Sequence, residues 1–96
     1  MECLYIIQAE TGKIITFDIE DLELDSAKDY ILIRNGNSPD SPEIARLTGN
    51  LNQNDKIIMS TSNQVYLFFK TNLGDSKRGF KIKYSQGKFT ILCVKF

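Results

Sequence analysis

The chain has 96 residues, and twelve basic residues balance twelve acidic ones, so its formal charge is zero. This length fits one small domain, and 42% apolar with 25% charged residues argues against both a uniformly acidic disordered tail and a uniformly basic nucleic-acid binder. The complete absence of histidine excludes every mechanism that needs an imidazole as base, proton shuttle or metal ligand.

Short segments in which apolar and polar residues alternate follow one another along the chain. A repeat of two residues is that of a β-strand. Residues 30–34 are apolar on both faces, which predicts a strand in the middle of a sheet, and Asn35-Gly36 predicts a tight turn after it. In chain order, the predicted strands are residues 3–8, 13–20, 30–34, 56–60, 64–70, 80–84 and 89–96.

The alternation also assigns side chains to faces. In the second predicted strand, Ile15, Phe17 and Ile19 alternate with polar side chains, so these three residues are predicted to be buried. Residues 43–47 are predicted as either one helical turn or a short strand. About seven short strands without a long helix favour an all-β fold, an antiparallel β-sandwich or barrel. A later strand is predicted to turn Val65, Leu67 and Phe69 to one face and Tyr66 and Phe68 to the other.

The stretch 18–29 concentrates negative charge in what is predicted as a connection between two strands. One interpretation is a solvated connection that keeps the domain soluble. The other is a site for a hard cation, because clustered carboxylates are what calcium selects. The spacing does not match the twelve-residue EF-hand loop, so a calcium site here has to combine separate loops. The six carboxylates are Asp18, Glu20, Asp21, Glu23, Asp25 and Asp29.

Positive charge collects in the other half of the chain. Residues 1–48 carry ten acids and four bases, whereas residues 49–96 carry two acids and eight bases. The basic half suggests polyanion or nucleic-acid binding as an alternative function. However, Lys81 and Lys83 lie on the strand face opposite Phe80 and its apolar neighbours, which places the aromatic rings in the core rather than on a stacking platform. We therefore expect no nucleic acid as a partner.

An enzymatic function is not expected. The serine and cysteine residues have no histidine to activate them, and a solvated acidic loop does not separate the pKa values of two carboxylates as acid–base catalysis requires. Apolar runs of at most five residues are far too short to cross a membrane. These residues contain no signal-peptide pattern, so we expect either a cytosolic protein or a fragment whose export signal lies outside them. Cys3 and Cys93 lie 90 residues apart, and their spacing alone leaves their pairing open.

Four segments, in this order, resemble the CUB domain, an extracellular β-sandwich of jelly-roll type. Residues 15–36 (ITFDIEDLELDSAKDYILIRNG) are similar to the central strand, acidic connection and strand of that family. Residues 41–49 (SPEIARLTG) resemble its S-P-x-x-x-x-x-C-G segment, residues 60–63 (STSN) its S-S-x-N turn, and residues 78–84 (RGFKIKY) its closing R-G-F-x-x-x-Y strand. The resemblance covers residues 3–84.

The resemblance implies a non-catalytic module that binds proteins or glycans, and it implies a calcium site. Carried over by position, the calcium ligands are Glu23, Asp29 and Asn72. Asn72 departs from the family, which has a carboxylate there, and Asp75 in the same loop is an alternative ligand. The acidic residues that hold the ion can also accept a basic side chain, so Glu23 and Asp29 are the expected contacts for an extracellular protein partner.

The cysteines also depart from the family pattern. The second of two family disulfides is missing, because Ser26 or Ala27 and Thr48 stand where its cysteines are. Cys3 resembles the second cysteine of the first disulfide, whose partner lies in an N-terminal segment that this chain lacks. We therefore expect an N-terminally truncated CUB-like domain at residues 1–87. Residues 88–96 are then either a C-terminal extension or an edge strand that brings Cys93 near Cys3. The expected location is extracellular or at the cell surface.

Overall fold

The computed structural model of the protein describes residues 2–25, 28–53, 56–71, 79–85 and 88–94. Within these ranges no helix is long or apolar enough to span a membrane. A 3₁₀ turn at Leu51–Gln53 lies between the fourth and fifth strands. The strands are β1 (Glu2–Gln8), β2 (Thr16–Glu23), β3 (Tyr30–Asn35), β4 (Glu43–Leu47), β5 (Ile57–Met59), β6 (Gln64–Lys70), β7 (Gly79–Ser85) and β8 (Lys88–Val94).

The strands form two sheets in which every neighbouring pair is antiparallel. The five-stranded sheet has the order β4-β3-β6-β1-β8, and the three-stranded sheet has the order β5-β2-β7. β3 lies between β4 and β6, as its two apolar faces predict for a strand in the middle of a sheet. The predicted all-β, antiparallel sandwich is confirmed.

The inner faces of the two sheets share one hydrophobic core. Phe17 of β2, Ile31 and Ile33 of β3 and Val65 of β6 are completely buried. Burial of each such side chain stabilises the fold by about 1.5–3 kcal/mol relative to exposure. The alternation in the sequence therefore identifies the inward residues of these strands correctly.

Most strands lie within one or two residues of their predicted bounds, but the second strand is displaced along the chain by three. β2 begins at Thr16 and ends at Glu23, rather than covering residues 13–20, so it continues into the acidic stretch. The prediction that the strand ends at residue 20 and the connection begins there is therefore wrong for residues 21–23. The ambiguous segment Glu43–Leu47 is a strand, β4, which pairs with β3.

A β-bulge explains why β2 extends so far. The buried residues of β2 include Phe17 and Ile19 before the bulge and Leu22 after it, so the spacing of inward residues changes from two to three. The register with β7 shifts between Ile19 and Asp21, which leaves Glu20 as the extra residue. Because the bulge takes up one residue, the strand keeps its apolar side chains directed at the core on both sides of it.

The turn after β3 depends on a glycine. Gly36 has a φ of +152°, and a Cβ atom there would collide with the side chain of Ser41. We expect Gly36→Ala to lower the free energy of unfolding by about 2 kcal/mol, through backbone strain and steric overlap together. Gly12 has a φ of +86° and open space around its Cβ position, so Gly12→Ala reports backbone strain alone, about 1 kcal/mol.

Urea denaturation of the two variants measures both losses. The double variant Gly36→Ala with Ser41→Gly should recover the steric share of the loss at Gly36. Equal losses in the two single variants would contradict the collision with Ser41.

Candidate functional site

The candidate site lies at the end of the sandwich where β2 finishes and β3 begins. Glu23 is the last residue of β2 and is half-buried, and Asp25 follows it in the connection. Asp29 directly precedes β3 and is only 3% exposed. We call these three residues the acidic end.

Hydrogen bonds fix the carboxylate of Asp29. Its Oδ2 atom accepts a hydrogen bond from the backbone N–H of Asp25 at 3.1 Å. In return, the backbone N–H of Asp29 donates to the carbonyl oxygen of Asp25 at 2.8 Å. This reciprocal pair closes a tight turn between the two acids and holds a buried carboxylate in one orientation.

The segment that follows β4 connects the two sides of the acidic end. The hydroxyl of Thr48 donates to the backbone carbonyl of Asp29 at 2.6 Å. The carbonyl of Gly49 accepts from the backbone N–H of Leu24 at 2.8 Å, and Asn50 forms a β-bridge with Glu23. Glu23 and Asp29 therefore contact one short segment, which brings the two predicted ligands to the same end of the sandwich.

Thr48 is a site residue that the ligand prediction from the sequence did not include. The sequence marks it only as the residue that stands in place of a family cysteine in Leu47-Thr48-Gly49. In the structure it ties the segment after β4 to the start of β3 by a hydrogen bond. Such a bond contributes about 0.5–1.5 kcal/mol, less than a disulfide typically does.

Three of the six clustered carboxylates lie on β2 outside the acidic end: Asp21, which is the register partner of Lys81, and two exposed residues. Asp18 and Glu20 are exposed on β2, away from the core. Glu20 forms ion pairs with Lys81 at 3.6 Å and Lys83 at 3.2 Å, both on β7. Exposed pairs of this kind contribute at most about 1 kcal/mol. These two acids therefore belong to a charged sheet face and not to a cation site.

Only two of the three predicted calcium ligands lie within the part of the chain that the structure describes. Among the described residues there is no group of three or more His, Cys, Asp and Glu side chains that could hold a metal ion. Asn72, the third predicted ligand, and Asp75, its alternative, lie outside the described residues. Glu23 and Asp29 supply hard oxygen donors of the kind that calcium prefers.

The aromatic residues of β7 contact the core rather than solvent. Phe80 packs edge-on against Phe69, with ring centroids 4.7 Å apart. Phe80, Ile82 and Tyr84 are partly buried, and they line an apolar cavity of about 320 Å³ between the sheets. Lys81 and Lys83 are exposed on the strand's other face. This arrangement offers no aromatic platform for stacking nucleotide bases on β7.

Comparisons with known proteins agree with the fold. The family model of the CUB domain matches residues 1–84 of the chain. The chain is 33% identical over 82 residues to cubilin of Sus scrofa, 35% identical over 82 residues to cubilin of Rattus norvegicus, and 33% identical over 82 residues to cubilin of Homo sapiens. Each alignment covers 81% of this chain but 2% of the relative, so the chain spans a small fraction of these curated relatives. The resemblance predicted from the four sequence segments is confirmed.

Proposed function

The chain belongs to the CUB domain family, and from this we propose that it is an extracellular or cell-surface, non-catalytic module that binds a protein through a calcium-organised acidic end. CUB domains typically mediate protein interactions. The observation that carries the calcium part of the proposal is the buried, oriented carboxylate of Asp29 beside the segment that also contacts Glu23. A buried carboxylate is costly unless hydrogen bonds or a cation compensate its charge.

In this proposal Glu23 and Asp29 hold the calcium ion together with the loop that contains Asn72. The neutral carbonyl of Asn72 supplies less charge than a carboxylate, so the affinity is lower than in a site with three acids, unless Asp75 takes its place. When bound, calcium supplies a positive charge that draws the loops at this end together. The same two carboxylates then accept a basic side chain of the partner.

We expect millimolar calcium to raise the free energy of unfolding by about 1–2 kcal/mol relative to chelator. This follows from a dissociation constant of about 10⁻⁴ M, which is typical of extracellular modules. Thermal unfolding in calcium, in magnesium and in chelator measures the effect. The variant Glu23→Gln should lose the calcium-dependent share, whereas Asp18→Asn removes one negative charge from an exposed position outside the site and should keep it.

A further substitution tests the ligand carried over from the family. Asn72→Asp restores a carboxylate and should tighten calcium binding by about tenfold or more. Identical melting curves with calcium and with chelator in both the native chain and Asn72→Asp would count against a calcium site. A peptide with clustered lysines then tests the partner contact, since its binding should require both calcium and Glu23.

We also propose that Cys3 and Cys93 form a disulfide between β1 and β8. The two residues are direct partners in the antiparallel register. Opposed residues in such a pair have Cα atoms about 4.5–5.5 Å apart, which lies within the range that a disulfide spans. Two thiols lose two electrons and two protons to an oxidised disulfide such as that of glutathione, which an extracellular location supplies. The bond would make β8 an integral edge of the domain rather than the start of a linker.

A further inference from the structure

The five-stranded sheet carries an apolar face on the side that points away from the core. Strand alternation places every second residue of β1, β3 and β6 on this side, and six of them are large and apolar or aromatic. All six are half-buried. We call this set the apolar outer face: Leu4, Ile6, Tyr30, Leu32, Tyr66 and Phe68.

The strand register makes this face continuous. Phe68 of β6 is the direct partner of Leu4 on one side and of Leu32 on the other, so three apolar side chains form a row across three strands. In the next row, Tyr66 pairs with Ile6. The rings of Tyr30 and Phe68 lie 6.2 Å apart between centroids. The residues shield one another, which explains why they are half-buried although no second layer of described residues covers them.

The three-stranded sheet shows a different outer face. Thr16, Asp18 and Glu20 of β2 alternate with the core residues, and Lys81 and Lys83 stand beside them on β7. Large exposed apolar side chains occur there at the edge strand β5, where Ile57 and Met59 are 55% and 57% exposed. The outer face of the three-stranded sheet is therefore mostly polar, as is usual for a sheet that faces solvent, whereas that of the five-stranded sheet is largely apolar. A contiguous apolar surface of this kind marks an interaction site.

Among the side chains that the structure describes around the apolar outer face, basic residues outnumber acidic ones: Arg34, Arg46 and Lys70 against Glu2 and Glu43. Lys70 is the register partner of Glu2, and Arg34 is the register partner of Glu43. Arg46 on β4 is the partner of Leu32, an apolar residue. Its guanidinium carbon lies 4.2 Å from the centroid of the Tyr30 ring, so the cation lies over an aromatic ring at the border of the face.

We propose that the apolar outer face binds a partner protein whose surface presents an apolar strip and a carboxylate that meets Arg46. Aromatic residues and arginine are the side chains that dominate binding energy at protein interfaces. A second copy of this chain fits less well, because the described side chains of this face carry more bases than acids, and two such faces would repel each other. The contact lies on a sheet face and not on the calcium-binding loops, so it is expected to persist in chelator.

The test uses two short synthetic peptides that are rich in leucine and phenylalanine and differ at one central position, glutamate in one and glutamine in the other. Titrated into ¹⁵N-labelled protein in chelator, both should shift the amide resonances of Leu4, Leu32 and Phe68. The glutamate peptide should bind about tenfold more tightly. Arg46→Ala should weaken the glutamate peptide about tenfold and leave the glutamine peptide unchanged.

Two further variants separate binding from folding. Phe68→Ser should weaken both peptides while the dispersion of the other resonances shows an intact fold. Met59→Ser removes a comparable apolar side chain from the other sheet and should change neither affinity. Three outcomes overturn the proposal: no shifts on this face at millimolar peptide, an equal effect of Arg46→Ala on both peptides, or self-association that Phe68→Ser abolishes. Loss of calcium binding through Glu23→Gln should leave these peptide affinities unchanged, so the two proposals fail separately.

Discussion

Replacement of Phe17 by alanine is expected to lower the free energy of unfolding by about 3–5 kcal/mol. Phe17 is completely buried at the middle of the three-stranded sheet, where its neighbours are Ile58 on β5 and Tyr84 on β7. Its ring also lines the cavity of about 320 Å³ between the sheets. Removal of the ring leaves a cavity at a position that is completely buried, and the loss in core substitutions rises with the volume of the cavity that remains.

Phe68→Ala provides the matched control. Both residues are phenylalanines in the middle of a strand, but Phe68 lies on the outer face of the other sheet and is only half-buried. Its loss should be clearly smaller, about 1–2 kcal/mol, because part of the ring is already in water. Urea denaturation followed by far-ultraviolet circular dichroism gives both values. A loss at Phe68 equal to that at Phe17 would show that the outer face is covered as completely as the core.

The strands and their inner faces could be predicted from the sequence because they depend on local alternation. The inward set of β6, Val65, Leu67 and Phe69, is buried as predicted, and Tyr66 and Phe68 lie on the other side. The strand order could not be predicted in the same way. β1 pairs with β6 and β8, which are distant in sequence, because the pairing depends on how the two sheets close around the core.

The bulge at Glu20 shows a limit of reading alternation alone. Ile15, Phe17 and Ile19 predict one face, and the change to Leu22 looks like the end of the strand. In the folded chain the pairing with β7 continues past this point, since one extra residue restores the inward direction. Whether the strand ends or continues past a bulge depends on its pairing with a strand that is distant in sequence. The local pattern of apolar residues gives no information about that pairing.

The acidic end could be predicted in part. Glu23 and Asp29 flank one connection, and both contact the segment after β4. The role of Thr48 could not be predicted, because a threonine in a loop gives no sign of which distant carbonyl its hydroxyl meets. The sequence also does not predict that Glu20 lies apart from the acidic end, because its two lysine partners are on a strand about 60 positions later in the chain.

Reduction of the proposed Cys3–Cys93 disulfide is expected to lower the free energy of unfolding by about 4–5 kcal/mol. The bond would join residues 90 positions apart, so it would close almost the whole chain into one loop. In the chain-entropy treatment, a longer loop restricts the unfolded ensemble more and stabilises the folded state more. The loss is a large fraction of the 5–15 kcal/mol that holds a typical domain together.

Thermal unfolding with and without reductant measures this loss, and the variant Cys93→Ser separates it from other effects of the reductant. Cys93→Ser should unfold at the temperature of the reduced native chain and should no longer respond to reductant. Thiol titration of the unreduced native protein in denaturant should find no reactive thiol, and a result of two reactive thiols would contradict the proposed disulfide. Among the described strands, β8 lies at the edge of the five-stranded sheet with β1 as its one neighbour. Loss of the bond should therefore release β8 first, and amide exchange in β8 should rise before exchange in β3 or β6.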